Sequence, residues 1–142
     1  MEFFDARRRL LWNGILIFIF GLLAGAVAEH LANPRMGVAA HLGGVMSGMF
    51  LLLIGLIWDE IQLPVGARKT AFWLFLYASH TGWLAQLLAG YFGTGRATPI
   101  AGAGFQAALW QENLVYYLAV SFSAAILLAC VLALWGLAKN RS

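Results

Sequence analysis

Residues 37–58 read GVAAHLGGVMSGMFLLLIGLIW, and this stretch decides the class of fold. It contains no Asp, Glu, Lys or Arg. A helix that crosses a bilayer needs about 20 predominantly apolar residues, and this stretch is long enough. The segment therefore predicts a transmembrane helix whose one ionisable side chain is His41.

Three further segments have the same character, and they cover residues 10–31, 70–92 and 113–138. Hydrophobic residues make up 62% of the 142 residues and charged residues 11%, against about 25% charged residues in soluble domains. We predict an all-α fold in which one domain, residues 1–142, forms a four-helix transmembrane bundle. Because so thin a bundle has little interior, we expect an oligomer with sites shared between subunits.

The basic residues are distributed unevenly between the two predicted membrane faces. One face carries Arg7, Arg8, Arg9, Arg68, Lys69, Lys139 and Arg141, and the other carries Arg35 and Arg96. Lys and Arg accumulate on the cytoplasmic side, so we expect a multi-pass protein of a bacterial-type inner membrane with both termini cytoplasmic. As an alternative, the arginines, the apolar run and Ala26-Val27-Ala28 have the outline of a signal peptide, but the start MEFFDA is not basic.

The third connection is long and reads TGRATPIAGAGFQAALWQE, residues 94–112. It either folds over the end of the bundle as a lid or forms a flexible surface loop. Glu112 then opens the fourth helix, where an acidic side chain suits the positive end of the helix dipole. The alternative is that Glu112 positions a substrate.

Small residues recur at helical spacing in the first two segments. Gly21 and Gly25 are four residues apart, and Ala40, Gly44 and Gly48 form a second stripe. Such stripes let helix backbones approach closely in membranes. The pattern does not say whether they meet within one bundle or between subunits.

His41 lies beside part of that stripe, because Gly44, Val45 and Gly48 are its neighbours at helical spacing. The small residues predict a flat recess next to the imidazole, which would suit a large planar ligand such as a porphyrin. Neutral imidazole is a good axial ligand for haem iron. The alternative is a histidine that is hydrogen-bonded to a neighbouring carbonyl group.

The third segment presents a stripe of aromatic and polar residues at helical spacing, which would line an aromatic-binding pocket or simply pack against a neighbour. Its members are Trp73, Tyr77, His80, Thr81, Leu84, Leu88 and Tyr91. Ser47 lies at a comparable depth to His80. The sequence contains no phosphate-binding loop, GxSxG or HExxH motif and no basic face for nucleic acid, and Cys130 has no second cysteine for a disulfide.

The chain resembles the hydroxylaminobenzene mutase family over almost its whole length. The resemblance is carried by residues 33–58 and by the segments RRLLWNGILIF, TPIAGAG, WQE and VLALWGL. The family is in turn similar to styrene oxide isomerase, which shares the histidine matching His41, a polar residue at the position of Ser47, and the Gly82-Trp83 pair.

This resemblance implies a membrane-embedded homotrimeric isomerase with one haem b per subunit, held between subunits by the histidine that matches His41. In styrene oxide isomerase ferric iron acts as a Lewis acid on the epoxide oxygen, and the mutase converts hydroxylaminobenzene to 2-aminophenol. Several positions depart from the relatives: Ser47 replaces an asparagine, Gly43 a glutamate of the mutase, and Thr81 an aspartate of the isomerase.

From these observations we predict a mutase that rearranges a small aromatic hydroxylamine. The predicted catalytic residues are Ser47, His80 and Thr81. His41, with Gly44 and Gly48 beside it, is predicted to bind the haem and its iron. The predicted substrate-binding residues are Tyr77, Trp83, Tyr91 and Glu112. The alternatives are an aryl epoxide isomerase, a non-catalytic haem-binding membrane protein with His41 and His80 as paired ligands, and a subunit without a cofactor.

Overall fold

The computed structural model describes the backbone of residues 3–138 and the side chains of residues 5–138. Four α-helices occupy this range, α1 (Phe3–Val27), α2 (Pro34–Leu56), α3 (Val65–Phe92) and α4 (Leu109–Ala138), and a 3-10 turn (Ala28–His30) follows α1. No strand occurs in the described residues, so the prediction of an all-helical chain is confirmed. The helices begin three to seven residues before the predicted apolar spans, because the helical backbone continues into the flanking polar residues.

Three of the four helical segments are long and apolar enough to cross a membrane, namely Asp5–His30, Pro34–Leu56 and Leu109–Ala138. Helix α3 is not among them, because its apolar sequence is interrupted by Ser79, His80, Thr81 and Gln86. The sequence-based prediction of four spanning helices is thus supported for three of them.

The helices form two close pairs, α1 with α2 and α3 with α4, and α2 joins the pairs by packing against α3. The α1–α2 pair is the tightest because glycines face each other across it. A Cβ atom added at Gly44 would lie 2.5 Å from Gly21 Cα, and one at Gly48 would lie 2.7 Å from the Gly14 carbonyl oxygen. The small-residue stripes therefore meet within one subunit, which answers the question that the sequence left open.

The charged residues segregate to the two ends of the bundle as predicted. At one end Arg7 pairs with Asp59 across 3.9 Å, and Arg68 pairs with the same carboxylate across 3.3 Å. At the other end Arg35 lies over the Phe105 ring and Arg96 over the Tyr116 ring. Two further basic residues of the prediction, Lys139 and Arg141, lie outside the described residues.

The long connection between α3 and α4 is folded against the end of the bundle where α2 begins, as the lid interpretation predicted. Asn33 caps the start of α2, since its Oδ1 accepts hydrogen bonds from the backbone N–H groups of Arg35 and Met36. The same side chain donates from Nδ2 to the Ala101 carbonyl oxygen at 3.1 Å. Asn33 is fully buried, so a single residue both starts a helix and fixes the loop to it.

Glu112 fixes the other side of the loop. Its carboxylate accepts hydrogen bonds from the backbone N–H groups of Gly95 at 3.1 Å, Arg96 at 2.9 Å and Ala107 at 3.1 Å. The residue is 8% exposed. The carboxylate therefore folds the loop back on itself, a role beyond the helix-dipole one that the sequence suggested.

Replacing Gly44 with alanine should separate α1 from α2, because the added Cβ would meet the α1 backbone and no flexible side chain can yield there. We expect a loss of about 1–3 kcal/mol in the free energy of unfolding, as for other overpacked contacts. The measurement is reversible denaturation in mixed detergent micelles. Gly66→Ala is the matched control, since a Cβ there meets nothing within 4 Å; equal stability of the two variants would contradict the close contact.

Replacing Glu112 with glutamine should loosen the loop. The carboxylate accepts hydrogen bonds from three backbone N–H groups, and the amide nitrogen of glutamine cannot accept any of them. Hydrogen exchange at the amides of Gly95, Arg96 and Ala107 should accelerate by about tenfold or more, as expected for a lost buried hydrogen bond. Glu29→Gln, which changes an exposed acid at the same end of the bundle, should leave these rates unchanged. Slow exchange in both variants would argue against the loop anchor.

Candidate functional site

His41 lies at the contact between α1 and α2. Its Nδ1 is 2.9 Å from the Gly21 carbonyl oxygen. Because a carbonyl can only accept, Nδ1 is the donor, and in a neutral ring Nε2 then carries the lone pair. The hydrogen bond to a carbonyl that was one alternative for His41 is thus present, yet it uses only one ring nitrogen. A hydrogen bond of this kind is also what orients most metal-binding histidines in proteins.

Gly25 makes room for the imidazole. A Cβ atom at this position would lie 2.6 Å from His41 Nδ1 and 3.0 Å from Cγ of the same ring. The ring therefore lies across the backbone of α1 and is partly exposed at the edge of the helix pair. Around this edge α1 presents Leu22 and α2 presents Leu42, both about half exposed in the isolated subunit.

The recess predicted beside Gly44 and Gly48 is not present, and that expectation was wrong. Both glycines are buried against α1, so their missing side chains admit the neighbouring backbone and leave no open surface. Trp83 of α3 fills the same junction, with Cδ1 2.8 Å from the place of a Gly44 Cβ and its ring stacked on Phe20 at 5.1 Å. Its Nε1–H is buried without a hydrogen-bond partner.

Ser47 lies on a different side of α2, in a groove of about 260 Å³ between α2, α3 and α4. We call it the carboxamide groove, because Gln86 lines it together with Ser47 and Ser79. The apolar part of its lining includes Phe50, Phe122 and Ile126. None of its three polar side chains makes a side-chain hydrogen bond within the described residues.

The other predicted residues of α3 do not reach this groove. Tyr77, His80 and Tyr91 are not among the residues that line it. The hydroxyls of Tyr77 and Ser121 of α4 share a hydrogen bond at 2.8 Å, and Tyr91 is 64% exposed. The His80 Nδ1 bonds to the Leu76 carbonyl oxygen at 2.9 Å. Thr81 is buried and does not line the groove. The expected cluster of Ser47, His80 and Thr81 is therefore not formed within one subunit.

Sequence reasoning missed Ser79 and Gln86, although a signal was available. Both are polar residues inside a predicted membrane span, and they are seven residues apart, so they share one face of α3. The prediction concentrated on the aromatic stripe of that helix, which lies on another face than the residues that line the groove. Among the described residues there is no cluster of three or more His, Cys, Asp or Glu side chains that could hold a metal ion.

Comparison with known proteins places the chain among membrane isomerases. The sequence pattern of the styrene oxide isomerase family matches residues 6–138. The hydroxylaminobenzene mutase HabB of Ectopseudomonas oleovorans is 48% identical over 131 residues, which cover 92% of this chain and 80% of HabB. The hydroxylaminobenzene mutase HabA of the same organism is 34% identical over 128 residues, covering 89% of this chain and 95% of HabA.

No solved structure matches the chain. The two sequence relatives are nevertheless similar over most of their own length, and the family pattern begins within α1 and ends with α4. The chain therefore belongs to the styrene oxide isomerase family and is an enzyme of the isomerase and mutase class.

Proposed function

We propose that this protein is a membrane-embedded mutase that rearranges a small arylhydroxylamine to an aminophenol, with hydroxylaminobenzene and 2-aminophenol as the type reaction. The two mutases named above support this choice, since HabB is 48% identical over most of the chain. Reactant and product are isomers, so the reaction needs no external oxidant or reductant. The bundle is proposed to lie in the inner membrane with both termini cytoplasmic.

The observation that carries the proposal is the hydrogen bond between His41 Nδ1 and the Gly21 carbonyl oxygen. With Nδ1 committed to Gly21, the neutral ring offers Nε2 as a ligand at a partly exposed, apolar edge of the bundle. These features fit a haem b, one per subunit, bound by His41. The haem iron, when bound, supplies a Lewis acid that draws charge from the oxygen of the substrate.

The chain's own part in this reaction is to bind and orient an apolar substrate away from water. The carboxamide groove offers aromatic and aliphatic side chains with a few polar groups, which is the usual composition of a small-molecule site. Its place within the apolar bundle excludes water from the reacting group. A substrate without charge would enter from the lipid.

His41 and the carboxamide groove lie on different sides of α2. His41 contacts α1 through Gly21 and Gly25, whereas Ser47 faces α3 and α4. One subunit therefore does not bring both to the same substrate molecule. We propose that the site is formed between subunits of a homotrimer, where the His41 edge of one copy meets the groove of the next.

One observation favours a second candidate, a non-catalytic haem protein with two histidine ligands. The Nδ1 of His80 also bonds a carbonyl oxygen, that of Leu76, so this ring too presents a bare Nε2. Such a pair would leave no coordination site open for a substrate. Conversion of an aryl epoxide in place of an arylhydroxylamine is the remaining alternative within the family.

The His41→Ala variant should lose haem, because it lacks the ring nitrogen that is proposed to bind the iron. Protein purified after haem-replete expression should show a Soret band in the wild type and less than about a tenth of it in the variant, as expected when the single axial ligand is removed. Wild-type membranes should isomerise arylhydroxylamines faster than aryl epoxides.

Two histidine controls sharpen that experiment. His30→Ala removes an exposed histidine at the end of the 3-10 turn and should keep full haem content. His80→Ala should also keep it, with an unchanged spectrum. A low-spin spectrum that turns high-spin in His80→Ala would support the paired-ligand protein instead, and full haem content in His41→Ala would refute the assignment.

Subunit mixing tests the shared site. His41→Ala lacks the proposed ligand but keeps the groove, and Ser47→Phe fills the groove but keeps the ligand, so each alone should be inactive. Co-expressed with different affinity tags and purified through both, mixed trimers should regain about a third of the wild-type activity, because one interface in three then has both parts intact in a cyclic assembly.

The control is His41→Ala co-expressed with a second, differently tagged copy of itself, which should stay inactive. Mixed assemblies of the two variants that form in normal yield but show no activity would place His41 and the groove in the same subunit's site, against the proposal.

A further inference from the structure

Gln86 places a primary amide in a largely apolar groove of the bundle, where the residue is partly exposed. The residue lies on α3 in the carboxamide groove, and its side chain reaches across to α2. A Cβ atom at Gly43 would lie 2.7 Å from Gln86 Nε2 and closer still to Oε1. The absence of a side chain at Gly43 is therefore what lets the amide occupy this position.

The amide of Gln86 is free to bond a ligand as far as the described residues show. No side-chain hydrogen bond of Gln86 occurs within the described residues, and Ser79, which is 4% exposed and lines the same groove, has none either. Leaving such groups unpaired in an apolar environment is costly. Gln86 and Ser79 line one groove from the same face of α3, so both polar groups are available to a ligand in it.

The groove limits what that partner can be. Its volume of about 260 Å³ lies just below the range of roughly 300–1,000 Å³ that is typical of sites for drug-sized ligands. The phenyl rings of Phe50 and Phe122 form part of the wall, and Phe122 lies 3.0 Å from the place of a Gly82 Cβ. These features suit one aromatic ring with a short polar substituent.

We propose that Gln86 is the residue that positions the substrate and sets its chemical class. An amide both donates and accepts, so Nε2 bonds the oxygen of the substrate while Oε1 accepts its O–H or N–H. An arylhydroxylamine satisfies both ends of the amide. An aryl epoxide offers only an acceptor and leaves Oε1 unpaired, and a site built around a buried polar group rejects analogues that cannot pair with it. The proposal rests on the function proposed above and names the residue that distinguishes its two substrate classes.

The test measures binding without turnover, so that its outcome is separate from that of the proposed reaction. 4-Fluorobenzyl alcohol resembles an arylhydroxylamine in shape and has a hydroxyl donor, whereas 4-fluoroanisole has only an acceptor. Binding of both to the purified protein in lipid nanodiscs is followed by fluorine NMR. The wild type should prefer the alcohol, and Gln86→Met, which keeps length but removes the amide, should weaken alcohol binding by about fivefold to tenfold with little change for the anisole.

Two further variants separate positioning from folding. Gly43→Ala keeps the amide but displaces it, and should reproduce the loss for the alcohol. Ser123→Ala removes a hydroxyl that bonds its own helix at the Ala119 carbonyl oxygen, and should bind as the wild type does.

Unchanged preference for the alcohol in both Gln86→Met and Gly43→Ala would overturn the proposal, even if the wild type proved to be an active mutase. If both variants lose the preference for the alcohol but the wild type has no mutase activity, the binding role of Gln86 is supported and only the proposed reaction is refuted.

Discussion

The close approach of α1 and α2 is the constraint on which the rest of the structure depends. Gly21 and Gly44 face each other at a distance that admits no side chain. In lipid the hydrophobic effect does not draw helices together, so backbone packing of this kind supplies much of the association. Two consequences follow directly. The small residues contact each other within the subunit and leave no open surface. The His41 ring is brought within hydrogen-bonding distance of an α1 carbonyl.

That hydrogen bond determines which nitrogen of the His41 ring donates a proton and which one is left to bind a ligand. A free imidazole could protonate either nitrogen, but a ring that donates from Nδ1 to Gly21 keeps Nε2 available. Because α2 is a rigid helix, the same packing also fixes the opposite side, where Ser47 faces the carboxamide groove. The separation of these two faces is the physical argument for a site that two subunits share.

Much of the fold was predictable from sequence, because length and hydropathy decide what crosses a bilayer. The helices and the segregation of Arg7 and Arg68 from Arg35 and Arg96 follow from such patterns. The helical periodicity of α2 also singled out His41. Periodicity does not show which neighbour each face of a helix contacts. The glycine stripe of α2 was therefore interpreted as an open recess, whereas the backbone of α1 packs against it.

The neighbours of each face of α3 were harder to predict for the same reason. Tyr77 and His80 form an apparent stripe with other aromatic residues, but the side of α3 that faces α2 carries Ser79 and Gln86. An aromatic stripe in a membrane helix is as well suited to packing against a partner or lipid as to lining a pocket, and only the packing of α3 on its neighbours distinguishes these uses. Glu112 likewise was placed correctly at a helix start, while its three backbone partners lie in a loop whose fold the sequence does not determine.

The most direct test of this account is the tautomer of His41 in the haem-free protein. Nitrogen-15 NMR of histidine-labelled protein in lipid nanodiscs separates the two neutral tautomers and the imidazolium, and the His41 signal is assigned by its absence from a His41 variant. The account predicts a neutral ring protonated at Nδ1, held by the Gly21 carbonyl oxygen. A ring protonated at Nε2, or at both nitrogens at neutral pH, would contradict the helix contact and the ligand assignment together.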